Sequence, residues 1–524
     1  MSPDTACISA RITQTHETMR RGHIGTVRAG VKPGKSAAHG RWGRRRLDQP
    51  DEDFWGQVKQ GWRIARRQAA ETLHAAVNTE TVRLAVTGLS RAGKTVFITS
   101  AVQNLLAMAD GKGALPKFDD HGISARVKSL GLVQKTEDSP RFPFEKNFAA
   151  LAAADPYWPP RTASLAEVGL KLIVQRRRTG GIGFLKEREV TIELLDYPGE
   201  WLLDLPMLSQ DFAAWSEETL QRMETGLRAE PARPYLDAIR ALDLSAAADP
   251  DTARRLHDLY LAYLFDARDR LGLRYLQPGG FLCAPPWPKS DAMIFGPLPV
   301  QRGASSKPGS YADMFRARYD LYRTEMSTRF FSRHFARFDR QIVLVDVLGA
   351  LHGGQEVFED TRLAISRLAA CYAYGGRTLF NPFARGISKV MFAATKADHV
   401  PERQRDALQI LLGRMAGADI DDIREARAAV KTAAIAAIRC TREDRATIEG
   451  RTVAAVRGLP MGSTTAKKFI PGEVPLSPPG PDFWSDAYFE LPVFQPPKLD
   501  ASGESGVPHL ALDVALYYLI GDRL

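Results

Sequence analysis

Residues 81–95 read TVRLAVTGLSRAGKT, and the second half of this stretch matches the phosphate-binding pattern G-x4-G-K-[ST]. Gly88 and Gly93 allow the backbone to turn tightly, so that successive N–H groups point inward at phosphate oxygens. We expect Lys94 to reach the β- and γ-phosphates and the Thr95 hydroxyl to ligate magnesium. A hydrophobic strand pattern precedes the loop and a helical pattern follows it, so the stretch predicts a P-loop rather than an incidental glycine-rich turn.

The loop and the first residue after it form the predicted phosphate-binding set. Its members are Gly88, Ser90, Arg91, Ala92, Gly93, Lys94, Thr95 and Val96. Arg91 has two interpretations, because its side chain can reach a phosphate or can point at the helical insertion expected later in the chain or at solvent.

The sequence DYPG follows a second hydrophobic strand pattern, TIELL. Asp196, at the carboxyl end of that strand, is placed to hold magnesium as a Walker-B acid, and the amide of Gly199 to contact a γ-phosphate. By itself the tetrapeptide is equally consistent with a plain turn. Glu200 stands where many GTPases have a water-positioning Gln. It either orients the attacking water, as an acceptor only, or caps the next helix.

A third motif, TKAD at residues 395–398, follows the strand pattern VMFAA. Here an [N/T]-K-x-D motif sets the carboxylate of Asp398 against the two N–H donors of guanine and the stem of Lys396 over the base. Adenine lacks that donor pair, so an unpaired Asp would disfavour ATP. Thr395 stands where Asn is more frequent. After the next strand pattern, Cys440 and Thr441 supply a base-facing amide or form an ordinary loop.

Two predictions concern the remaining site residues. Thr162, in WPPRTAS, is the best-placed candidate for the switch threonine that completes magnesium coordination, with Arg161 beside it as a charge stabiliser; the alternative is a loop-capping hydroxyl. We therefore assign catalytic roles to Lys94, Glu200 and Thr162. Asp346, after the strand pattern IVLV, is expected to make a strand-end hydrogen bond rather than to bind metal.

The order of these patterns predicts an α/β P-loop NTPase fold with a Ras-like G domain. The expected sheet is mostly parallel with one antiparallel edge strand, and a large helical insertion interrupts it. The expected segments are a basic disordered tail at 1–52, the first half of the G domain at 53–203, the helical insertion at 204–340, the second half at 341–445, and a C-terminal extension at 446–524 that packs on the G domain.

Composition is that of a soluble globular protein, with 44% hydrophobic and 25% charged residues. Ten Lys/Arg and three Asp/Glu fall in residues 1–50, so this segment carries +7 of the net +10. That tail is interpreted as disordered, as a weak contact to anionic lipid or nucleic acid, or as a transit peptide. We find no RNA-binding signature, transmembrane pattern or secretion signal, and the four scattered cysteines fit a reducing cytosol.

Several stretches together resemble the YcjX-like family of bacterial P-loop proteins: GLSRAGKTVFITS, LLDYPGEWLLDLP, WPPRT, TKADHV, FIPGEVP and ALYYLIGDRL. The resemblance spans roughly residues 53–524. It implies a GTP-binding G domain with a helical insertion, a cytoplasmic location, an association with stress responses and, in some members, a membrane partner encoded nearby.

These observations predict a protein that binds GTP or GDP with Mg2+, hydrolyses GTP slowly and acts as a switch. The insertion would bind a protein partner, with peripheral contact at the inner membrane as a further expectation and no nucleic-acid partner. Two alternatives remain open at this point, a non-hydrolysing nucleotide-dependent scaffold and an ATPase.

Overall fold

The computed structural model describes residues 79–133, 140–160, 165–176, 187–283, 293–331, 334–374, 387–417, 429–485 and 489–524. Several predictions fall outside these ranges. They are the basic tail and the pair Arg161 and Thr162. Two further sequence patterns also fall there: the helix-forming composition of residues 54–77, and the pair Gly180 and Gly181, which predicts a hairpin turn between LKLIVQ and VTIELL.

A seven-stranded sheet lies at the centre of the described structure. Its strands are β1 (Thr79–Gly88), β2 (Val127–Val133), β3 (Ala166–Gln175), β4 (Glu187–Asp196), β5 (Arg340–Val345), β6 (Lys389–Ala394) and β7 (Ala429–Ala434). In space they follow the order β2-β3-β4-β1-β5-β6-β7. The five neighbouring strands β4, β1, β5, β6 and β7 pair in parallel. β3 is antiparallel to β4, and β2 is antiparallel to β3. The predicted α/β class and mostly parallel sheet are confirmed.

The central strands are built from residues that are buried on both faces. All six residues of β5 (RQIVLV) are buried, as are the last five residues of both β1 and β4. Strands that are mostly apolar and buried over most of their length are typical of parallel sheets covered by helices on both sides. The residues that follow the carboxyl ends of β1, β4 and β6 therefore emerge at one edge of the sheet.

Two local predictions differ from the structure. The many prolines and aromatic residues of segment 112–165 predict irregular structure. The segment instead contains β2, whose side chains are mostly exposed because the strand lies at the sheet edge. The pattern AIAAI predicts the last strand at residues 434–438. The observed strand is β7, which ends at Ala434, where its pairing with Ala394 of β6 ends. Beyond that point Ala436 forms an antiparallel bridge with Leu510 instead.

Helices cover both faces of the sheet. In chain order they are α1 (Lys94–Ala109), α2 (Pro116–Asp120), α3 (Phe144–Leu151), α4 (Phe212–Met223), α5 (Ala229–Arg240), α6 (Pro250–Asp269), α7 (Gly279–Leu282), α8 (Tyr311–Glu325), α9 (Val347–His352), α10 (Gln355–Tyr374), α11 (Arg405–Ala416) and α12 (Leu512–Ile520). Short capping side chains fix where four of them begin. Asp211, Asp249, Ser310 and Asp346 accept a backbone N–H at the starts of α4, α6, α8 and α9.

The two faces of the sheet belong to different hydrophobic clusters. One cluster joins the sheet to α1 and α12. The other joins the opposite face to α10, α11 and the helices α4 to α8, which lie between β4 and β5 in sequence. Trp201, Trp215 and Tyr319 are among its large fully buried side chains. The helices between β4 and β5 therefore pack directly beside the end of β4.

The C-terminal part of the chain packs against α1. Buried polar residues of that helix hold it there, since Ser100 donates to the carbonyl of Ala437 at 2.6 Å and Asn104 accepts from the amide of Val507 at 2.9 Å. Between Ala437 and Val507 in sequence, the chain forms a separate three-stranded antiparallel sheet. Its strands are β8 (Thr441–Ile448), β9 (Arg451–Gly458) and β10 (Lys467–Phe469). Among the described helices, none combines the length and apolar character needed to cross a bilayer.

Candidate functional site

The loop between β1 and α1 has the backbone conformation of a phosphate cradle. Arg91 and Gly93 have left-handed φ values of 67° and 86°, and the loop closes through a hydrogen bond from the amide of Ala92 to the carbonyl of Leu89 at 3.1 Å. A left-handed arginine is uncommon, and such backbone outliers concentrate at functional sites. Nζ of Lys94 donates to the carbonyl of Gly88 at 2.7 Å, which folds its side chain back over the loop.

The DYPG turn lies in direct contact with this loop. A Cβ atom built on Gly199 would stand 2.3 Å from the carbonyl oxygen of Gly88, which is far inside van der Waals contact. Gly88 is equally confined on its other side, where a Cβ would come within 2.5 Å of the carbonyl oxygen of Leu344 in β5. Both positions therefore require glycine for close backbone approach, and the two motifs expected to contact phosphate are adjacent.

Thr95 and Asp196 supply oxygen atoms within two to three residues of the P-loop Gly93 and the DYPG Gly199. Thr95 lies in the first turn of α1 and Asp196 ends β4, and both side chains are buried. A hydroxyl and a carboxylate are ligands of the kind that Mg2+ selects, which usually keeps several waters and uses phosphate oxygens for the rest. The residues present therefore fit a magnesium ion brought by a nucleotide.

The predicted base-binding residues also lie together, after β6 and after β7. Oδ2 of the buried Asp398 accepts hydrogen bonds from the amides of Cys440 and Thr441, at 2.7 and 3.2 Å. The hydroxyl of Thr441 donates to the backbone carbonyl of Asp398. The other carboxylate oxygen, Oδ1, lies 3.9 Å from Nε2 of His399, whose pKa is lowered by burial. The amides of residues 440 and 441 thus orient the Asp398 carboxylate.

Lys396 and Thr395 are fixed by the neighbouring strand. Lys396 adopts a left-handed φ of 60°, and its ammonium group pairs with the carboxylate of Asp346. Asp346 also accepts the amide of Gly349 at the start of α9. Burial raises the pKa of Asp346, but the charge and hydrogen bond of Lys396 and the amide of Gly349 together outweigh it, so the pKa is lowered. The hydroxyl of Thr395 donates to the carbonyl of Val345 at 3.3 Å. The strand-end role expected for Asp346 agrees with this geometry.

Sequence reasoning missed a set of contacts between the DxxG segment, residues 196–204, and a loop within the helical region, residues 273–283, which we call the insertion loop. The carboxylate of Asp204 accepts the amides of Gly279 and Gly280, at 2.7 and 3.1 Å, and the hydroxyl of Tyr322 at 2.6 Å. A Cβ on Gly279 would stand 1.9 Å from the carbonyl oxygen of Glu200. The Pro-Gly-Gly break in LQPGGF was the available signal.

Two further hydrogen bonds join the same segments. The indole N–H of Trp201 donates to the carbonyl of Cys283 at 3.0 Å, and the side-chain amide of Gln277 donates to the carbonyl of Leu203. Burial raises the pKa of the Cys283 thiol to about 12, and the adjacent Glu200 carboxylate adds to that shift. Glu200 lies in the first turn of a short 3-10 helix, Gly199–Asp204, and is buried. The DxxG segment is therefore held by the helical region as well as by the P-loop.

The strand order, the phosphate cradle and the motifs after β4 and β6 define a P-loop protein of the Ras-like, or G-domain, class. Comparison with known proteins agrees. The model of the YcjX-like family (DUF463) matches residues 82–524, and the chain belongs to this family. It is 34% identical over 450 residues to the Ras-like GTPase YcjX of Escherichia coli K12, covering 84% of this chain and 96% of that protein. The Ras-like GTPase YcjX of Shewanella oneidensis is 34% identical over 465 residues, covering 84% and 94%.

Proposed function

We propose that this chain binds GTP with Mg2+, hydrolyses it slowly and acts as a switch controlled by the nucleotide. One observation carries the proposal. The P-loop, the DYPG turn and the Asp398 carboxylate follow β1, β4 and β6, which share one parallel sheet, so all three meet at its carboxyl edge. Ligands of open α/β sheets bind at this edge. The names of the two relatives, both Ras-like GTPases, support the same function.

Except for Thr162, which lies outside the described residues and is proposed from the sequence, each residue has a role in this proposal that follows from its position. The P-loop amides and Lys94 hold the phosphates, and the amide of Gly199 binds the γ-phosphate. Thr95 and Asp196 hold Mg2+, which neutralises charge on the phosphates when bound, and Thr162 completes that set in the GTP state. Because Oδ2 of Asp398 is engaged by two backbone amides, Oδ1 is the acceptor assigned to guanine.

Switching follows from the contact between the DxxG segment and the insertion loop. A γ-phosphate that draws the amide of Gly199 toward it acts on the same short helix that ends at Asp204. Asp204 is bonded to Gly279, Gly280 and Tyr322, so a displacement of the segment must move or break these bonds. The nucleotide state is thereby transmitted to the helices between β4 and β5, which we propose as the surface for a protein partner.

Glu200 keeps one competing function open. A carboxylate orients water as an acceptor but cannot donate an N–H to the transition state, and this observation favours a scaffold that binds GTP without hydrolysing it. The family resemblance supports a stress-related process in the cytoplasm, with peripheral contact at the inner membrane through the partner.

The test is a titration with fluorescent GDP, GTP and ATP in the presence of Mg2+, followed by measurement of phosphate release. We expect guanine nucleotides to bind at least about tenfold tighter than ATP, a difference of roughly 1.4 kcal/mol. Lys94→Ala is the matched control and should lose binding of all three. Tight GTP binding without phosphate release would establish the scaffold, and equal binding of ATP would overturn the GTPase proposal.

A further inference from the structure

The insertion loop carries an arginine at the edge of the nucleotide site. Its backbone is fixed on one side by α10, where the carboxylate of Asp360 accepts the amides of Arg274 and Tyr275, at 2.5 and 2.9 Å. On the other side Gly279 packs against the carbonyl of Glu200. The backbone of Arg274 is therefore held five residues away from a glycine that contacts the DxxG segment.

The guanidinium group of Arg274 lies among charges of the nucleotide site. The groups that act on it electrostatically are, in order of strength, Asp346, Arg91, Asp360 and Glu200. Arg91 is in the P-loop, Glu200 follows DxxG, and Asp346 holds Lys396 of the base-binding motif. Burial lowers the pKa of Arg274, but an arginine remains protonated in proteins.

Within the part of the chain that the structure describes, no carboxylate forms an ion pair with Arg274, although Asp346, Asp360 and Glu200 favour its charge from beyond ion-pair distance. The one hydrogen bond from the Arg274 side chain goes to the carbonyl of its neighbour Leu273, at a marginal 3.5 Å. Two nearby arginines differ from it. Arg228 forms a buried ion pair with Asp360, and Arg268 pairs with Asp269. A half-buried cation without an ion pair is costly, and an anion bound beside the P-loop would stabilise it.

We propose that Arg274 is a catalytic arginine supplied by the chain itself, which binds the γ-phosphate oxygens as charge develops on them during hydrolysis. This inference rests on the proposed function and adds the group that Glu200 does not provide. In the reaction, a water oxygen bonds to the γ-phosphorus while the bond from phosphorus to the bridging oxygen breaks. The electron pair of that bond stays on GDP, and phosphate and a proton are released.

The guanidinium acts only on charge that accumulates in this transition state. Arginines in this role contribute about 10³ to 10⁵ in rate. They contribute much less to ground-state binding, because an interaction made only in the transition state changes kcat rather than affinity. A catalytic role for Arg274 can therefore be distinguished from a merely structural one. Loss of a structural arginine would change the nucleotide affinity or the folding of the chain together with the rate.

The experiment compares the wild-type chain with Arg274→Ala, Arg274→Lys and the control Arg270→Ala. Arg270 is exposed and forms ion pairs with Asp266 and Glu230, so its loss should leave the rate unchanged. Each protein is measured for GTP and GDP affinity, for single-turnover hydrolysis of GTP, and for binding of GDP with aluminium fluoride, a mimic of the transition state.

For Arg274→Ala we expect hydrolysis at least about 100-fold slower, while GTP affinity stays within about threefold of wild type. Binding of aluminium fluoride should be lost as well. Arg274→Lys should recover only part of the rate, because an ammonium group lacks the planar fork of a guanidinium.

Two results overturn the inference while the proposed function stands. One is hydrolysis by Arg274→Ala within about threefold of an active wild type, and the other is a parallel loss of affinity and rate in that variant. A wild-type chain that neither binds nor hydrolyses GTP would overturn the proposed function and this inference together. The control variant distinguishes a general effect of removing an arginine from the loss of this one.

Discussion

Gly199→Ala perturbs the contact between the DxxG segment and the P-loop. The new Cβ would lie 2.3 Å from the carbonyl oxygen of Gly88 and 2.7 Å from its carbonyl carbon. Since ordinary contacts between such atoms are about 3.5 Å or more, one of the two backbones must move by roughly 1 Å. Gly88 cannot retreat, because it is itself packed against Leu344. The DxxG segment is therefore the part that moves.

That displacement removes the hydrogen bond proposed between the amide of Gly199 and the γ-phosphate. A hydrogen bond to a charged group contributes about 1.5–3 kcal/mol, which corresponds to a loss of roughly 10- to 150-fold in affinity. Only the triphosphate should be affected, because GDP has no γ-phosphate. We therefore expect the ratio of GTP to GDP affinity to fall by this factor.

The assay is a fluorescence titration with GDP and with a non-hydrolysable GTP analogue in the presence of Mg2+. Gly131→Ala is the matched control, since a Cβ at that position in β2 meets no atom within 4 Å. An unchanged affinity ratio in Gly199→Ala, with both nucleotides still bound, would refute the reasoning. An equal loss for both nucleotides would show that the glycine supports the P-loop alone.

Two other substitutions test the contacts around the site. Burial raises the pKa of Asp204 to about 7, although the hydrogen bonds from Tyr322, Gly279 and Gly280 lower it. The folded state therefore keeps a proton on this carboxyl group that the unfolded state loses near pH 4. The free energy of unfolding should therefore fall as pH rises from about 4 to 7, by on the order of 4 kcal/mol, and urea unfolding of Asp204→Asn should lack this component. Ser310→Ala removes the cap of α8 and should lower the free energy of unfolding by about 1 kcal/mol without changing nucleotide affinity. A measurable loss of nucleotide affinity in this variant would contradict the view that the start of α8 is independent of the site.

The parts of the fold and site that could be predicted depend on short-range patterns. Lys94 and Thr95 fall within one octapeptide, and the strands that precede Gly88, Asp196 and Thr395 are mostly apolar. Parallel strands of this kind end at one edge of a sheet, so the motifs could be placed near one another without coordinates. The structure brings the P-loop, the DYPG turn and the base-binding motif to that edge.

The parts that could not be predicted depend on residues far apart in sequence. Asp204 bonds to Gly279 and Tyr322, which are 75 and 118 residues away, and Arg274 is held by Asp360, 86 residues away. No local periodicity reports such pairs. β2 was missed for a different reason, because an edge strand with mostly exposed side chains carries little hydrophobic signal.

Asp398→Asn tests the central claim, that Asp398 recognises guanine. Oδ2 accepts two amides, so an asparagine would keep its oxygen there and turn its NH2 group to the position of Oδ1. That group is a donor, which matches the 2-carbonyl of xanthine and opposes the 2-amino group of guanine.

The measurement is the affinity of both proteins for GTP, ATP and xanthosine triphosphate in the presence of Mg2+. We predict that the wild-type chain prefers GTP and that the variant prefers xanthosine triphosphate, with a combined reversal of at least about 100-fold, or roughly 2.7 kcal/mol. If the order of affinities is the same in both proteins, or if the wild-type chain binds ATP as tightly as GTP, the assignment of this site to guanine is wrong.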